Sequence, residues 1–295
     1  MGMIAVGLLV GLGAVPAGAQ AEGEGWTREV TVEAAAFTVP GAPSAVVHAP
    51  SAFDVERPLR LVVFLHGWMG CARAIVRAGE VPCRDGGPTR TGWDLAGAVE
   101  RSGAPVLLVV PQLAFLRRSG DPGAFREPGR FRAFLSDILA AAVPDRGLEA
   151  VGDILLVAHS AGFETALAVL RAGGVDGLVR GVVLLDALYR GVEPFLDWVH
   201  EQRGRTLASL VVPGGRPARQ SRRHLRMARA RDEASQVAHG AGADLERLWP
   251  RRRVLVLETD SPHGRIPVDA LPALLRGWDE AGPGRGPVVS SSRGG

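Results

Sequence analysis

The sequence contains no lysine and no asparagine, although it is 295 residues long. All 34 of its basic residues are therefore arginine. The absence of lysine excludes the phosphate-binding G-x-x-x-x-G-K-[ST] loop, the protein-kinase lysine and Schiff-base catalysis on a lysine. The absence of asparagine excludes N-glycosylation sites, which require that residue.

Cysteine and net charge are also low. The chain has 2 cysteines, too few for a four-thiolate zinc or iron–sulfur site. The formal net charge is +3, from 34 basic and 31 acidic residues, and so small an excess does not indicate nucleic-acid binding. Hydrophobic residues make up 46% and charged residues 22% of the chain. This composition is typical of a globular protein that can bury a sizeable core.

The first 21 residues have the pattern of an export signal. Met3–Val15 is an uninterrupted run of apolar residues and glycine, too short to span a bilayer comfortably. Ala17, Ala19 and Ala21 supply small residues for an A-x-A cleavage site. We expect cleavage of residues 1–21 and export to the periplasm or medium, with no transmembrane span in the mature form. Because no basic residue precedes the run, a retained N-terminal membrane anchor or a buried helix is the alternative.

The two cysteines, Cys71 and Cys83, lie close together in one glycine-rich segment. Export would place them in an oxidising compartment, where disulfides form and persist. We therefore predict a disulfide between them, with two unrelated thiols as the alternative.

The body of the chain alternates short apolar runs with longer helical segments. Eight strands are predicted, at 27–39, 45–49, 59–65, 106–110, 153–158, 181–185, 207–212 and 254–257. Helices are predicted near 92–101, 129–142, 161–172, 191–203, 217–239 and 267–280. Continuous apolar runs are typical of parallel strands covered on both faces. The alternation predicts an α/β doubly wound, mostly parallel eight-stranded sheet with helices on both faces, over residues 22–282. The remaining residues, 283–295, are predicted to be a disordered tail.

Catalytic groups in such sheets gather at the carboxyl ends of the strands. One strand end carries Ala158-His159-Ser160-Ala161-Gly162, directly before a predicted helix. This pattern resembles the nucleophile elbow of the α/β-hydrolase superfamily, with Ala158 in place of the usual first glycine. The elbow is a sharp strand-to-helix turn that exposes its serine, and it needs small neighbours so that strand and helix cross closely. The resemblance makes Ser160 the nucleophile; the alternative is a serine that only caps the helix.

The same resemblance implies an oxyanion hole in the loop after the strand at 59–65. Its first residues are His66, Gly67 and Trp68. The backbone N–H groups of Trp68 and Ala161 are expected to bind the developing oxyanion. His66 is interpreted as a residue that orders the loop rather than as the base, and a plain glycine turn is the alternative.

The superfamily's general base lies on the loop after the last strand. His263 is the only one of the 7 histidines between the final predicted strand and the final predicted helix. It is therefore the expected base, with a solvated loop histidine as the alternative. His200, His224 and His239 fall in predicted helical segments and are interpreted as surface side chains.

The triad acid is where the pattern departs from most relatives. They carry it after the seventh strand, where this chain has a proline and two glycines at 213–215 and no nearby carboxylate. Asp186 directly follows the strand at 181–185, and it keeps the order Ser, Asp, His. We expect Asp186 to orient the imidazole of His263. The alternatives are Glu193, Asp197 and Asp260.

A substrate pocket is predicted around the elbow. The segment between the strands at 181–185 and 207–212 has room for one helix, so we expect no large lid. The predicted pocket residues are His66, Gly67, His159, Phe163 and Tyr189. Trp68, Phe195 and Trp198 are further aromatic candidates, with core packing as the alternative for aromatic side chains.

Seven arginines between Arg216 and Arg231 predict a basic helix. Most of them share one helical face, which is interpreted as a solvated face. Binding to an anionic surface or an acidic substrate is the alternative. No aromatic residues interleave with these arginines, so nucleic-acid binding is not predicted.

Together, the resemblance implies an exported serine hydrolase that cleaves a carboxylic ester through an acyl-enzyme, with no cofactor and no metal. The expected partner is a small-molecule or polymer ester substrate. An amidase or peptidase with the same triad is the nearest alternative. A catalytically silent hydrolase-like binding protein and a basic envelope-binding protein are the others.

Overall fold

The computed structural model describes residues 25–231, 237–249 and 251–281. The predicted signal peptide at 1–21 and the predicted tail at 283–295 lie outside these residues, so both stay predictions. Within the described ranges, no helix combines the length and the apolar character that crossing a bilayer requires.

A nine-stranded sheet forms the centre of the protein. Its strands are β1 (Trp26–Val30), β2 (Ala45–Ala49), β3 (Leu59–Leu65), β6 (Leu107–Pro111), β7 (Val151–His159), β8 (Val179–Leu185), β9 (Thr206–Val211), β10 (Val237–Ala241) and β11 (Val254–Glu258). A separate hairpin comprises β4 (Glu80–Pro82) and β5 (Thr89–Thr91). The spatial order is β1-β2-β6-β3-β7-β8-β9-β11-β10. Strand β2 runs antiparallel to both neighbours, and the strands from β6 to β10 in this order all run parallel.

Helices cover both faces of this sheet. They are α1 (Ala72–Val76), α2 (Leu95–Ser102), α3 (Arg130–Ala142), α4 (Phe163–Ala172), α5 (Val192–Glu201), α6 (Arg216–Arg231), α7 (Leu245–Leu248) and α8 (Ile266–Ala281). Side chains of α3 to α6 pack in one core, and side chains of α1, α2, α7 and α8 pack in the other. The predicted α/β, doubly wound and mostly parallel architecture is confirmed.

Strand β3 shows why the central runs are continuously apolar. Leu61, Val63 and Leu65 belong to the core on one face, and Val62 and Phe64 belong to the core on the other. Successive side chains of a strand point to opposite faces. Because both faces are covered by helices, the middle of this strand is apolar. Its one charged residue, Arg60, is buried and pairs with Asp153 of β7 at 3.1 Å.

The first strand is shorter than predicted. It ends at Val30 and not at position 39. The backbone N–H of Val32 donates to the hydroxyl of Ser44 at 3.0 Å, and the Ser44 hydroxyl donates to the Val32 carbonyl at 3.2 Å. These side-chain bonds replace strand pairing, so the chain leaves the sheet after Val30.

The sheet has one strand more than predicted, and the predicted end of the helix at 217–239 is wrong. Helix α6 ends at Arg231, and Val237–Ala241 forms the edge strand β10, parallel to β11. Only Val237 is buried in this strand. An edge strand covered this lightly has no continuous apolar run to reveal it. His239, assigned to a helix by the sequence, is exposed on β10.

The predicted disulfide between Cys71 and Cys83 is present, with Cα atoms 5.7 Å apart. Both residues are buried and pack with Ala74 and Val81. Cys71 directly precedes α1, and Cys83 directly follows β4. The bridge therefore joins the β4–β5 hairpin to the end of the loop that contains Trp68.

His224 corrects the expectation of a surface side chain. It lies on the inner face of α6 with no exposed surface. Neither ring nitrogen has a hydrogen-bond partner among the described residues. Burial, with a smaller contribution from the positive charge of His200, lowers the pKa of His224 to about 3. The folded protein therefore holds this imidazole neutral.

Reduction of the Cys71–Cys83 disulfide is expected to destabilise the protein. The bridge closes a loop with a sequence separation of 12 residues, which corresponds to about 3 kcal/mol in the chain-entropy model. Urea denaturation with and without a reductant measures this difference. In a Cys71→Ala/Cys83→Ala variant the reductant should have no effect, and equal stabilities of the oxidised and reduced wild type would contradict the expectation.

Substitution of His224 by leucine is expected to flatten the loss of stability in acid. A buried neutral histidine must gain a proton on unfolding below pH about 6.5, so its contribution to stability falls as pH falls from about 6.5 toward the folded pKa. The gap in free energy of unfolding between His224→Leu and wild type should widen by up to about 1.4 kcal/mol per pH unit in that window. Urea denaturation at pH 7, 6 and 5 measures the gap. The exposed His239→Leu is the matched loss of an imidazole, and a constant gap would refute the expectation.

Candidate active site

The predicted catalytic residues meet at the carboxyl edge of the sheet. Ser160 follows β7, Asp186 follows β8, and His263 lies on the loop after β11. The loop with Trp68 follows β3 at the same edge. Because these strands are parallel, their carboxyl ends open on one side of the sheet.

Ser160 occupies a strained turn. Its φ is 52°, in the left-handed region that a residue with a side chain seldom adopts. It opens a short 3₁₀ turn, Ser160–Gly162, that leads directly into α4. A Cβ on Gly162 would lie 2.1 Å from the backbone oxygen of Leu65, so the turn crosses β3 too closely for any other residue. The geometry is that of a nucleophile elbow, with the fully buried Ala158 in the first position.

The loop after β3 lies directly against this turn. A Cβ on Gly67 would lie 2.6 Å from the Cβ of Ser160 and 3.1 Å from the backbone nitrogen of Ala161. The backbones of the two loops therefore meet beside the serine. Trp68, the next residue, has 58% of its surface exposed. Its backbone N–H and that of Ala161 belong to the two loops that converge here.

His66 holds that loop in place through two hydrogen bonds. Its Nδ1–H donates to the Gly67 carbonyl at 3.0 Å, and its Nε2 accepts from the backbone N–H of Leu113 at 3.1 Å. Burial lowers the pKa of His66 to about 4, against a weaker opposing effect of the Gly67 carbonyl. The neutral ring thus joins the β3 loop to the segment after β6 and has no free nitrogen to act as a base.

Asp186 and His263 are in direct contact. The Nδ1–H of His263 donates to Oδ2 of Asp186 at 2.6 Å. Asp186 is buried, and its Oδ1 accepts from the backbone N–H of Val212 at 3.2 Å. The imidazole has 42% of its side chain exposed. With Nδ1 bound to the carboxylate, Nε2 is the nitrogen left for chemistry.

The alternative acids are engaged elsewhere or open to solvent. Glu193 on α5 pairs with Arg223, and Asp197 pairs with Arg231 at 2.7 Å. Both arginines are on α6, so these carboxylates join α5 to α6. Asp260 is exposed on the loop after β11.

His159 supports the His263 loop, a role that the sequence did not indicate. Its Nε2–H donates to the backbone carbonyl of His263 at 2.9 Å, and the two rings lie 4.6 Å apart. The His159 ring also packs edge-to-face against the Trp93 ring, with the two centroids 5.2 Å apart. Burial, reinforced by the charge of His263, lowers the pKa of His159 to about 3. A neutral imidazole therefore positions the carbonyl beside the candidate base.

Tyr189 is the only tyrosine of the chain and lies at the candidate nucleophile. Its side chain and that of Ser160 line the same cavity. Burial raises the pKa of Tyr189, the nearby Ser160 side chain opposes this, and the charge of Asp186 adds to the rise. The phenol therefore stays protonated at neutral pH and can donate to an oxygen at this position.

A cavity of about 320 Å³ opens in front of Ser160. Its lining comprises Trp68, Ser160, Ala161, Phe163, Glu164, Tyr189, Arg190 and Arg216. Phe163 and Tyr189 thus lie where the sequence predicted.

The other three predicted pocket residues do not line this cavity. The rings of His66 and His159 are buried behind the loops that they bond to, and Gly67 packs against the serine itself. Phe195 and Trp198 are buried core residues of α5. The structure therefore favours core packing for these two aromatic residues.

Three charged residues of the lining were missed, Glu164, Arg190 and Arg216. Each follows the end of a parallel strand within a few residues: β7, β8 and β9, respectively. Functional groups gather at the carboxyl ends of parallel strands, so the position of these residues just after strand ends was the sequence signal that could have found them. Among the described residues there is no group of three or more His, Cys, Asp or Glu side chains that could hold a metal ion.

Comparisons with known proteins identify the fold. No protein-family model matches the chain, and no curated protein matches its sequence. A mutant of the feruloyl esterase module from Clostridium thermocellum, complexed with sinapinate, is similar in structure with a TM-score of 0.53, at 10% identity over 87% of this chain and 89% of that chain. A protein designated FAE is similar with a TM-score of 0.52, at 10% identity over 88% of this chain and 90% of that chain. Together with the sheet order and the elbow at Ser160, these similarities show that the chain has the α/β-hydrolase fold.

Proposed function

We propose that this protein is an exported serine hydrolase that cleaves a carboxylic ester through an acyl-enzyme. The observation that carries the proposal is the 2.6 Å hydrogen bond from His263 to Asp186, made at the sheet edge where Ser160 stands in its elbow. A nucleophile, a base and a group that orients the base are the three parts that acyl transfer needs.

Ser160 is the proposed nucleophile. Its Oγ attacks the acyl carbon while Nε2 of His263 takes its proton, and Asp186 stabilises the imidazolium that forms. The buried carboxylate suits this role because its second oxygen is already held by the Val212 N–H. The reaction calls for no cofactor.

The backbone N–H groups of Trp68 and Ala161 are the proposed oxyanion hole. Donors that are fixed before the reaction stabilise the developing charge without reorganisation. The close approach of Gly67 to Ser160 and Ala161 supports this assignment, and so do the His66 hydrogen bonds that hold the loop.

The same groups complete the formation of the acyl-enzyme and then hydrolyse it. The imidazolium of His263 donates its proton to the leaving alcohol, and the neutral ring next activates a water molecule. The bond from His159 to the His263 carbonyl keeps the loop in place through both steps.

A small or exposed ester is the proposed substrate for two reasons. The cavity is open at the surface, since one helix, α5, occupies the segment between β8 and β9 where a lid would be inserted. The feruloyl esterase module is an esterase by name and shares the fold over most of both chains. A small ester, or an ester group at the end of a polymer, fits a cavity of this volume.

Export is supported by the Cys71–Cys83 disulfide. Disulfides persist in oxidising compartments and are rare in the reducing cytosol. The apolar run of the N-terminus is the proposed signal for this export.

Labelling with a fluorophosphonate probe tests the proposed function. Wild-type protein should be labelled at Ser160 and should hydrolyse p-nitrophenyl butyrate. Ser160→Ala should lose labelling and lose turnover by on the order of 10⁴ or more, because the acyl-enzyme cannot form. Ser261→Ala is the matched control at the same sheet edge and should keep both. Retained turnover in Ser160→Ala would show that the nucleophile is another group.

Asp186→Asn should lower kcat by roughly 10⁴ while leaving the fold intact, by analogy with serine proteases. The amide presents a donor to Nδ1 and so favours the wrong tautomer of His263. Steady-state kinetics measures the loss, and circular dichroism checks the fold. Glu193→Gln and Asp197→Asn should retain nearly full kcat, because these carboxylates pair with α6. A large loss in either of them, with activity kept in Asp186→Asn, would reassign the triad acid.

A further inference from the structure

Two guanidinium groups line the cavity that contains Ser160. Arg190 comes from the loop between β8 and α5, and Arg216 is the first residue of α6. Both are exposed, and they approach the same cavity from different segments. The apolar part of the wall comes from Trp68 and Phe163.

The two arginines differ in their partners. Arg190 pairs with Glu164 at 3.0 Å and lies over the ring of Phe163 at 5.8 Å. Arg216 forms no ion pair with any residue that the structure describes, although it lies in the cavity wall. Arg190 and Glu164 balance each other, so the cavity wall carries one positive charge in excess.

Three other arginines of α6 form ion pairs with neighbouring elements. Arg222, Arg223 and Arg231 pair with Glu258, Glu193 and Asp197, respectively. These pairs attach the helix to its neighbours and leave Arg216 facing the cavity. The basic helix is therefore mostly a solvated and paired face, and its first residue is the exception.

We propose that the ester cleaved at this site carries one carboxylate apart from its ester group, and that Arg216 binds this carboxylate with Arg190 beside it. The proposal rests on the proposed function, because it concerns the same cavity. The planar guanidinium presents paired N–H donors that match a carboxylate. A single excess charge fits a monoanion better than a dianionic phosphate. The apolar wall contacts the segment that joins the carboxylate to the ester.

Two substrate pairs locate the carboxylate. On the acyl side, p-nitrophenyl hemiglutarate is compared with p-nitrophenyl valerate. On the alcohol side, 4-carboxyphenyl butyrate is compared with phenyl butyrate. The measured quantity is the ratio of kcat/KM for the charged and the neutral member of each pair. Wild type should prefer the charged member of at least one pair, by roughly two- to fivefold for an exposed charge pair, and this preference should shrink as salt is added.

Three variants assign the preference. Arg216→Gln should abolish it, with the loss of kcat/KM falling mainly on the charged substrates. Glu164→Gln frees Arg190 from its partner and should increase the preference. Arg226→Gln removes the same charge from an exposed position further along α6 and should leave the ratio unchanged. Because Arg216→Gln and Arg226→Gln remove the same charge, a loss of the preference in the first and not in the second separates binding of a carboxylate in the cavity from a general change in charge.

The outcomes distinguish this proposal from the proposed function. Hydrolysis of the neutral substrates with fluorophosphonate labelling of Ser160, but with no charge preference in either pair, overturns the carboxylate proposal alone. An equal change of the ratio in Arg216→Gln and Arg226→Gln overturns it as well. Failure of wild type to react with the probe and with all four esters overturns the proposed function and this inference together.

Discussion

The close crossing of two backbones at Gly162 is the constraint on which the candidate site depends. A Cβ there would lie 2.1 Å from the Leu65 oxygen, so α4 begins in contact with the end of β3. Two residues earlier, where β7 ends, Ser160 has a φ of 52°. The strain is sustained by the fully buried strands on both sides, which fix the ends of the turn. The same crossing sets the distance between the serine and the loop of Trp68.

Neutral histidines build the surroundings of this crossing. His66 and His159 are buried, have lowered pKa values, and donate to the carbonyls of Gly67 and His263, respectively. Neither has the exposure or the partner that a base requires. His263 differs because its ring is partly exposed and its Nδ1 meets a buried carboxylate. Three imidazoles near one serine thus divide into two that hold loops and one that is open to a reactant.

The sequence predicted the parts of the molecule that are encoded locally. The strand run before Ser160, the small residues around it and the spacing of Cys71 and Cys83 are short patterns with a direct physical cause. Strand β10 was missed because an edge strand needs little apolar character. His224 was misplaced because the arginines of α6 hide its narrow buried face. Glu164, Arg190 and Arg216 share a cavity only because three separate crossovers return to one edge of the sheet. Tertiary packing sets this meeting, and within each segment the sequence shows only that the residue follows a strand end.

The position of the single tyrosine makes it an intrinsic probe of the cavity. Tyr189 is the only phenol in the chain, and it lines the same cavity as Ser160. A tyrosinate absorbance band, or the reaction with a tyrosine-selective reagent such as a nitrating agent, therefore reports on one known side chain in the cavity wall. A molecule that fills the cavity would alter that signal without any added label.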